Sequence, residues 1–350
     1  MAKVLMSTWD GAGNFPPERA LVRTLVGRGH QVHVLAHDVQ RSAVLRDGAA
    51  FEPYADVVQI DSGAPGIDAK AFDEVFFAEG IGASLAGAID RLEPDVLLVD
   101  EGLVTALGVA QRSGIPTVSL GSTLHSFIQG TPLQGPSEAC RLMLKFGYRE
   151  FEPADDVPRH AFYVGPLRPT EDEVTPWRRH WPRRPLVVAS LSTSHQEQEA
   201  VLQRLCDVLG DMDVEALVTT GRGVDPAGLA AKENVIVLRH VAHEAVIGDT
   251  DLLITHAGHG TVMVGVTSGV PMLCLPMGRD QPLVAQRVAD LGLGAVTDPN
   301  SSAEALETGI ADLLSDKAVR HRSLAFSERL AGKTRPDYAA DLVEGLLVQA

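Results

Sequence analysis

The stretch 251–288, DLLITHAGHGTVMVGVTSGVPMLCLPMGRDQPLVAQRV, constrains the fold more than any other part of the chain. Residues 251–254 form a short apolar run that reads as a buried strand. A glycine-containing turn follows, then an apolar helical segment over 260–268 that Gly269 and Pro271 stop. Residues 272–275 read as a second buried strand, and after a turn with Gly278, Arg279, Asp280 and Gln281 another helix opens at Pro282. Strand, turn, helix, strand is a βαβ unit and requires a parallel sheet. The turn aims main-chain N–H groups from a helix N terminus, where unpaired donors and the helix dipole favour a phosphate. His256 and the Thr261 hydroxyl add donors, while Asp280 and Gln281 offer a carboxylate and an amide suited to sugar hydroxyls.

A second unit of this kind opens the chain. Residues 3–7 read as a strand and 8–15, TWDGAGNF, as a loop. Pro16 and Pro17 start a helix with Leu21, Val22, Leu25 and Val26 on one face, and 31–35 is the next strand. Doubly wound sheets bind ligands at the carboxyl ends of their strands, so the loop 8–15 should line a cleft. The buried strand 96–99 places Asp100 and Glu101 at its carboxyl end, and a helix over 104–112 and a strand over 117–120 follow. Residues 68–92 read as helix broken near 80–82, and 48–61 as a strand with irregular flanks. Residues 121–164 give no clear reading. Pro166, Pro169, Pro176, Pro182 and Pro185 mark a linker. Beyond it come a strand over 186–191, a helix over 196–209, strands over 216–219 and 235–238, helices over 300–314 and 316–330, and an apolar helical stripe in the tail. The expected fold class is α/β, with two doubly wound halves and no sequence repeat between them.

Composition narrows the function. The chain has 350 residues, enough for two domains, and 45% hydrophobic residues, enough for real cores. Thirty Lys and Arg stand against 46 Asp and Glu, a net charge of −16, which argues against nucleic acid and against an anionic membrane surface. Cys140, Cys206 and Cys274 form no C-x-x-C pair and read as reduced thiols of a cytoplasmic protein. No apolar stretch has the length of a membrane span, and no signal segment is read at the start.

The order histidine, Gly-X-Gly-Thr, Gly-Val-Pro and Asp-Gln over 256–281 resembles the donor-binding signature of family-one, GT-B-fold glycosyltransferases of the bacterial natural-product (antibiotic) type. Arg28-Gly29-His30, where that family's first helix ends, and Asp100, where it keeps an aspartate, extend the resemblance. It implies a GT-B protein: two Rossmann-like doubly wound domains facing across a cleft. An acceptor-binding domain would occupy 1–165, apparently shortened, with a linker over 166–185. A nucleotide-sugar-binding domain would occupy 186–335, and a tail over 336–350 would cross back onto the first domain. The implied activity is inverting, metal-independent transfer of a sugar from a dTDP- or UDP-sugar to a lipophilic, aromatic natural-product acceptor. No cofactor is expected beyond the nucleotide sugar as co-substrate, and a homodimer is allowed.

Residue by residue, the resemblance assigns His256 to the diphosphate and Gly258, His259, Gly260 and Thr261 to its cradle. Asp280 and Gln281 would hold the sugar. His240 and Val241 stand where the family places its base-binding segment, and Ser192 and Thr193 follow the first strand of the donor domain. No metal site is expected, because a helix dipole and hydrogen bonds can carry the leaving-group charge, and the sequence is read as offering no Asp-X-Asp motif, which would have suggested a metal-dependent transferase. The chain departs from the family in the first loop. Gly11-Ala12-Gly13-Asn14 stands where relatives carry Gly-X-Gly-His, and asparagine cannot take a proton. Asp100 is then the expected base and Asn14 the group that positions the acceptor, with Asp10, Gly13, Glu101 and His125 on the acceptor side. Val264 replaces the glutamate with which plant-like members bond the ribose, which permits a thymidine nucleotide. The alternative is a nucleotide-sugar-binding protein that lacks transferase activity because the histidine is missing.

Overall fold

A computed structural model of the protein describes residues 1–64, 69–169, 177–192 and 195–348. Thr193, expected among the donor contacts, lies outside the described residues. The chain divides into two compact units, 1–62 with 67–170 and 332–350, and 63–66 with 171–331.

The first unit is built on seven parallel strands: β1 (Lys3–Ser7), β2 (Gln31–Ala36), β3 (Ala50–Pro53), β4 (Val96–Asp100), β5 (Thr117–Gly121), β6 (Leu142–Lys145) and β7 (Ala161–Tyr163). Their order is β3-β2-β1-β4-β5-β6-β7, so the winding reverses between β1 and β4. Strand β4, VLLVD, is buried along its whole length, as a central parallel strand covered on both faces must be. The helix Phe15–Gly27 carries its two prolines in the first turn, where a missing N–H costs nothing, and buries Leu21, Val22 and Leu25. The terminal helix Pro336–Leu347 packs beside it. Ala339, Ala340 and Val343 join Val4, Leu25 and Val96 in one core, and Arg28 ties the same helix through Asp341 (2.7 Å), Glu344 (2.9 Å) and Asp337 (3.0 Å).

The second unit holds six parallel strands: β8 (Leu186–Ser190), β9 (Glu215–Thr219), β10 (Val235–Leu238), β11 (Leu252–Thr255), β12 (Met272–Cys274) and β13 (Gly294–Val296). Their order is β10-β9-β8-β11-β12-β13, with the reversal between β8 and β11. The helix Glu199–Asp211 covers one face with Leu202, Leu205, Cys206 and Leu209, all within a core shared with Val187, Ile254 and Ile310.

The structure departs from the sequence reading in detail. The helical stretch breaks at 77–78, where Ala78 N–H bonds the Val75 carbonyl, and not at the glycines; helices Ala69–Phe76 and Glu79–Leu92 flank the break. The unread region 121–164 contributes β6 and β7 and the short helices His125–Ile128 and Gln134–Glu138. The two helices, of four and five residues, span little more than one turn, too short for a helical period to register. Strand β13 went unread because it opens on a glycine; a Cβ on Gly294 would collide with the Met272 main chain of its neighbour.

Candidate active site

In a doubly wound sheet the loops leaving adjacent strands at the reversal point bound a crevice at the strands' carboxyl ends. Here these are the loops after β1 and β4 in the first unit, and after β8 and β11 in the second. Backbone strain gathers in three of these loops and in the one after β12. Six described non-glycine residues have positive φ, and four of them lie in loops after β1, β8, β11 and β12: Ala12 (63°), Glu197 (55°), Ala257 (64°) and Arg279 (58°). Left-handed backbone at such residues is costly and persists where surrounding structure enforces it, which is a mark of functional loops.

In the first unit the loop after β1 is pinned from several sides. The Asn14 amide nitrogen donates to Asp100 Oδ2 (2.9 Å) and to the Trp9 carbonyl (3.1 Å), and Asn14 Oδ1 accepts from Gly11 N–H (3.1 Å). Gly11 is needed there, since a Cβ would press at 2.7 Å on the Trp9 ring and at 2.8 Å on Asn14 Oδ1. The Trp9 ring meets Phe72 and Phe76 edge-on. Asp100 also accepts from Gly102 N–H (2.8 Å), and burial raises its pKa against those donors. Asn14 and Asp100 are thus one hydrogen-bonded unit.

Asp10, Gly13, Glu101 and His125 are the other residues expected on the acceptor side. Asp10 is buried and accepts from Ser62 N–H at 2.8 Å. Gly13 has open space where a side chain would stand. Glu101 forms a buried ion pair with Lys145 Nζ at 2.8 and 3.1 Å, and burial pushes its carboxyl up to about 7 even so. His125 is fully buried; its Nε2 lies 3.2 Å from Glu138 Oε1, and burial, then the Lys145 charge, lowers its pKa. Gln40 is a further support that the sequence did not flag: its amide nitrogen reaches the Trp9 carbonyl at 3.1 Å.

In the second unit His256 follows β11 directly and is buried, with Nδ1 lacking any hydrogen-bond partner. Burial, then the Arg279 charge, pushes its pKa down to about 4, so the ring is neutral at pH 7. Gly258 makes room for it, because a Cβ there would strike Nε2. Gly258 is also the N-cap of the helix His259–Ser268, and no side chain caps that end. His259 is buried, Thr261 is half-buried, and nothing lies within 4 Å of a Cβ placed on Gly260. Val264 is buried on the same helix and presents no polar atom to a ribose.

Asp280 stands at the N-cap position of the helix Gln281–Asp290, without a side-chain capping bond, and is partly exposed, but Gln281 is 2% exposed. Its amide is already engaged at both ends: Oε1 accepts from Met277 N–H (2.7 Å) and Nε2 donates to Gln196 Oε1 (2.9 Å). Gln196 in turn donates to Ser192 Oγ (2.7 Å). Gln281 therefore ties the loop after β12 to the loop after β8, a job the sequence signal did not reveal. His240 is exposed just beyond β10 and Val241 is half-buried beside it.

Residues 203–346 match the family model "Erythromycin biosynthesis protein CIII-like, C-terminal domain". The demethyllactenocin mycarosyltransferase of Streptomyces fradiae is 34% identical over 198 residues, which is 55% of this chain and 42% of that protein. The chain spans less than half of that relative's length, whereas an alignment with the 4'-demethylrebeccamycin synthase of Lentzea aerocolonigenes, at 25% identity, covers 99% of this chain and 100% of that one. The solved glycotransferase of kitacinnamycin superposes with a TM-score of 0.84 at 25% identity, over 99% of this chain and 98% of its own.

The chain has the GT-B fold of the natural-product glycosyltransferases and resembles them over nearly its whole length.

Two details differ from the sequence reading. The chain does contain Asp-X-Asp triplets, Asp211-Met212-Asp213 and Asp249-Thr250-Asp251. Both precede strands, β9 and β11, and so lie at the amino ends of the sheet, away from the turn that carries His256. Asp211 pairs with Lys232, Asp213 with Arg184 and Asp251 with Arg320. Asp211, Asp213 and Asp251 are thus engaged in ion pairs at the amino ends of the strands. The buried Glu18, one helical turn into Phe15–Gly27, carries no signal in the sequence, because a lone glutamate after two prolines reads as an ordinary first-turn acid.

Proposed function

We propose that the protein is an inverting glycosyltransferase that moves a sugar from a dTDP- or UDP-sugar to a lipophilic, aromatic natural-product acceptor. The observation that carries this reading is the helix end at Gly258, without a side-chain cap and beside the neutral, buried His256. Main-chain donors and the dipole at that end suit a diphosphate and take up the charge of the leaving group without a metal. Asp280 offers the sugar a carboxylate, while Gln281 fixes the loop that presents it. Val264 leaves the 2′ position of the nucleoside unread and so admits a thymidine donor.

On the acceptor side Asp100 takes the proton and Asn14 orients the incoming hydroxyl. The acceptor oxygen attacks the anomeric carbon, the bond from that carbon to the diphosphate oxygen breaks, and the electron pair leaves with the diphosphate. The acceptor proton passes to Asp100. A carboxylate is a weak base for an alcohol, so burial helps by raising its pKa, and a phenol needs less help than an aliphatic hydroxyl. A cytoplasmic setting is part of this reading: all three cysteines are buried free thiols, and no helix among the described residues is long and apolar enough to cross a membrane.

The test is incubation with dTDP-glucose or UDP-glucose and a panel of phenolic aglycones, with the glycoside followed by mass spectrometry and the released nucleotide measured in parallel. A new glycoside with equimolar nucleoside diphosphate supports transfer. Nucleotide binding without transfer to any phenol would replace it with the non-catalytic reading, and no nucleotide binding would remove the donor site as well.

A further inference from the structure

Glu18 is a carboxyl group with no exposed surface, in a position no part of the donor or acceptor signature claims. One oxygen, Oε2, accepts from the Thr8 hydroxyl. The other, Oε1, is buried and meets no donor. The Glu18 side chain lies within hydrogen-bonding reach of Asp100, a second carboxyl group with 4% exposure. Two carboxylates are both acceptors and cannot bond without a proton between them. Two adjacent negative charges in a buried site also repel, and the lower-cost state carries one proton on the pair.

The two members are not equivalent. Asp100 is supplied with donors suited to an anion, Gly102 N–H at 2.8 Å and the Asn14 amide at 2.9 Å. Glu18 has the Thr8 hydroxyl alone. We propose that Glu18 keeps its proton and donates it from Oε1 to Asp100, so that the pair holds a single negative charge on Asp100. Resting on the reading of Asp100 as the base, this makes Glu18 a positioning residue that acts through Asp100. The pair carries one charge before the acceptor proton arrives and none after, a change a buried site accommodates far better than a dianion.

The surroundings agree. Burial, then the Asp100 charge, holds the Glu18 carboxyl well above the usual carboxylate range. The other titratable groups facing the pair are Tyr54, whose hydroxyl bonds Ser7 Oγ and the Thr8 carbonyl and is raised by burial, and Glu101, which is paired with Lys145. Neither supplies a positive charge to ionise Glu18.

Infrared spectroscopy of the full chain without substrate tests this, because a protonated carboxyl has a C=O stretch apart from ionised carboxylates. Spectra are taken above the pH at which Glu101, raised to about 7, has ionised. The expected result is one protonated-carboxyl band that moves on ¹³C-glutamate labelling, disappears in Glu18→Gln and changes frequency in Asp100→Asn. A band absent from the wild type, unmoved by the label, or unchanged in Asp100→Asn overturns the pairing. The labelled wild type decides the matter even where Glu18→Gln fails to fold. No acceptor or donor enters the measurement, so a negative turnover assay and a negative spectrum refute different statements.

Discussion

The Asn14 amide nitrogen stands 2.9 Å from Asp100 Oδ2, joining residues 86 positions apart at the point where the first sheet reverses direction. Relatives are expected to hold a histidine where Asn14 sits. The asparagine keeps the hydrogen bond to the aspartate but cannot accept a proton from an acceptor. Whatever basicity the first unit offers must then come from the carboxyl groups behind it.

Asp100→Asn is expected to lower the turnover of a phenolic acceptor by about 10²–10⁴-fold, the usual size of a general-base contribution. Donor affinity measured by calorimetry should not change, because the donor turn belongs to the second unit. Asn14→Ala should cost less, since it removes a positioning bond and leaves the base. Near-full activity in Asp100→Asn would move the base elsewhere.

His256→Ala is expected to weaken binding of a nucleoside diphosphate by about 1.5–3 kcal/mol, the worth of a hydrogen bond to a charged group. The free ring has a pKa of about 4, and a bound diphosphate raises it. Protons are then taken up on binding, so affinity should strengthen as pH falls from neutrality toward that of the free ring. Calorimetry over a pH series in wild type and variant checks this: the part of the pH dependence due to His256 should vanish in the variant.

A dTDP-sugar should bind at least as tightly as the matching UDP-sugar, because Val264 offers the ribose no acceptor. Competition between the two nucleotides measures the difference. A clear preference for uridine, lost when the 2′-hydroxyl is removed, would show that another residue reads the ribose.

Lys145→Met should destabilise the protein by about 3–5 kcal/mol, because it leaves Glu101 buried beside no compensating charge. Adding Glu101→Gln should recover much of the loss. Gly121→Ala should also destabilise, since its Cβ would meet both Lys145 Nζ and Glu101 Oε2. The Glu101 carboxyl is raised in the folded state to about 7. The folded chain therefore binds more protons than the unfolded one between about pH 4.3 and that value, and this group's contribution to stability falls as pH rises through the window. Thermal melts of wild type and Glu101→Gln across that range should differ in slope, with the wild type losing more stability toward neutral pH.

The sequence alone determined the parallel α/β class, both strand–turn–helix units and the order of the donor motif. These are local signals: apolar runs of strand length, glycine and proline at helix ends, and a turn whose residues are near neighbours in the chain. It did not reveal β6, β7 or β13: the equally short β10, β11 and β12 show as aliphatic runs, whereas β7 and β13 are built on alanine, aromatic or glycine residues and β6 ends on a lysine. Nor could it tell that Gln281 is turned inward to Gln196 rather than left available, since an Asp-Gln pair reads the same in either state. The partnerships of Asp100 with Asn14 and Glu18, and of Glu101 with Lys145, were decided by tertiary structure. Which carboxyl keeps a proton depends on burial and on the donors within reach, and both are set by which strands become neighbours when the sheet is wound.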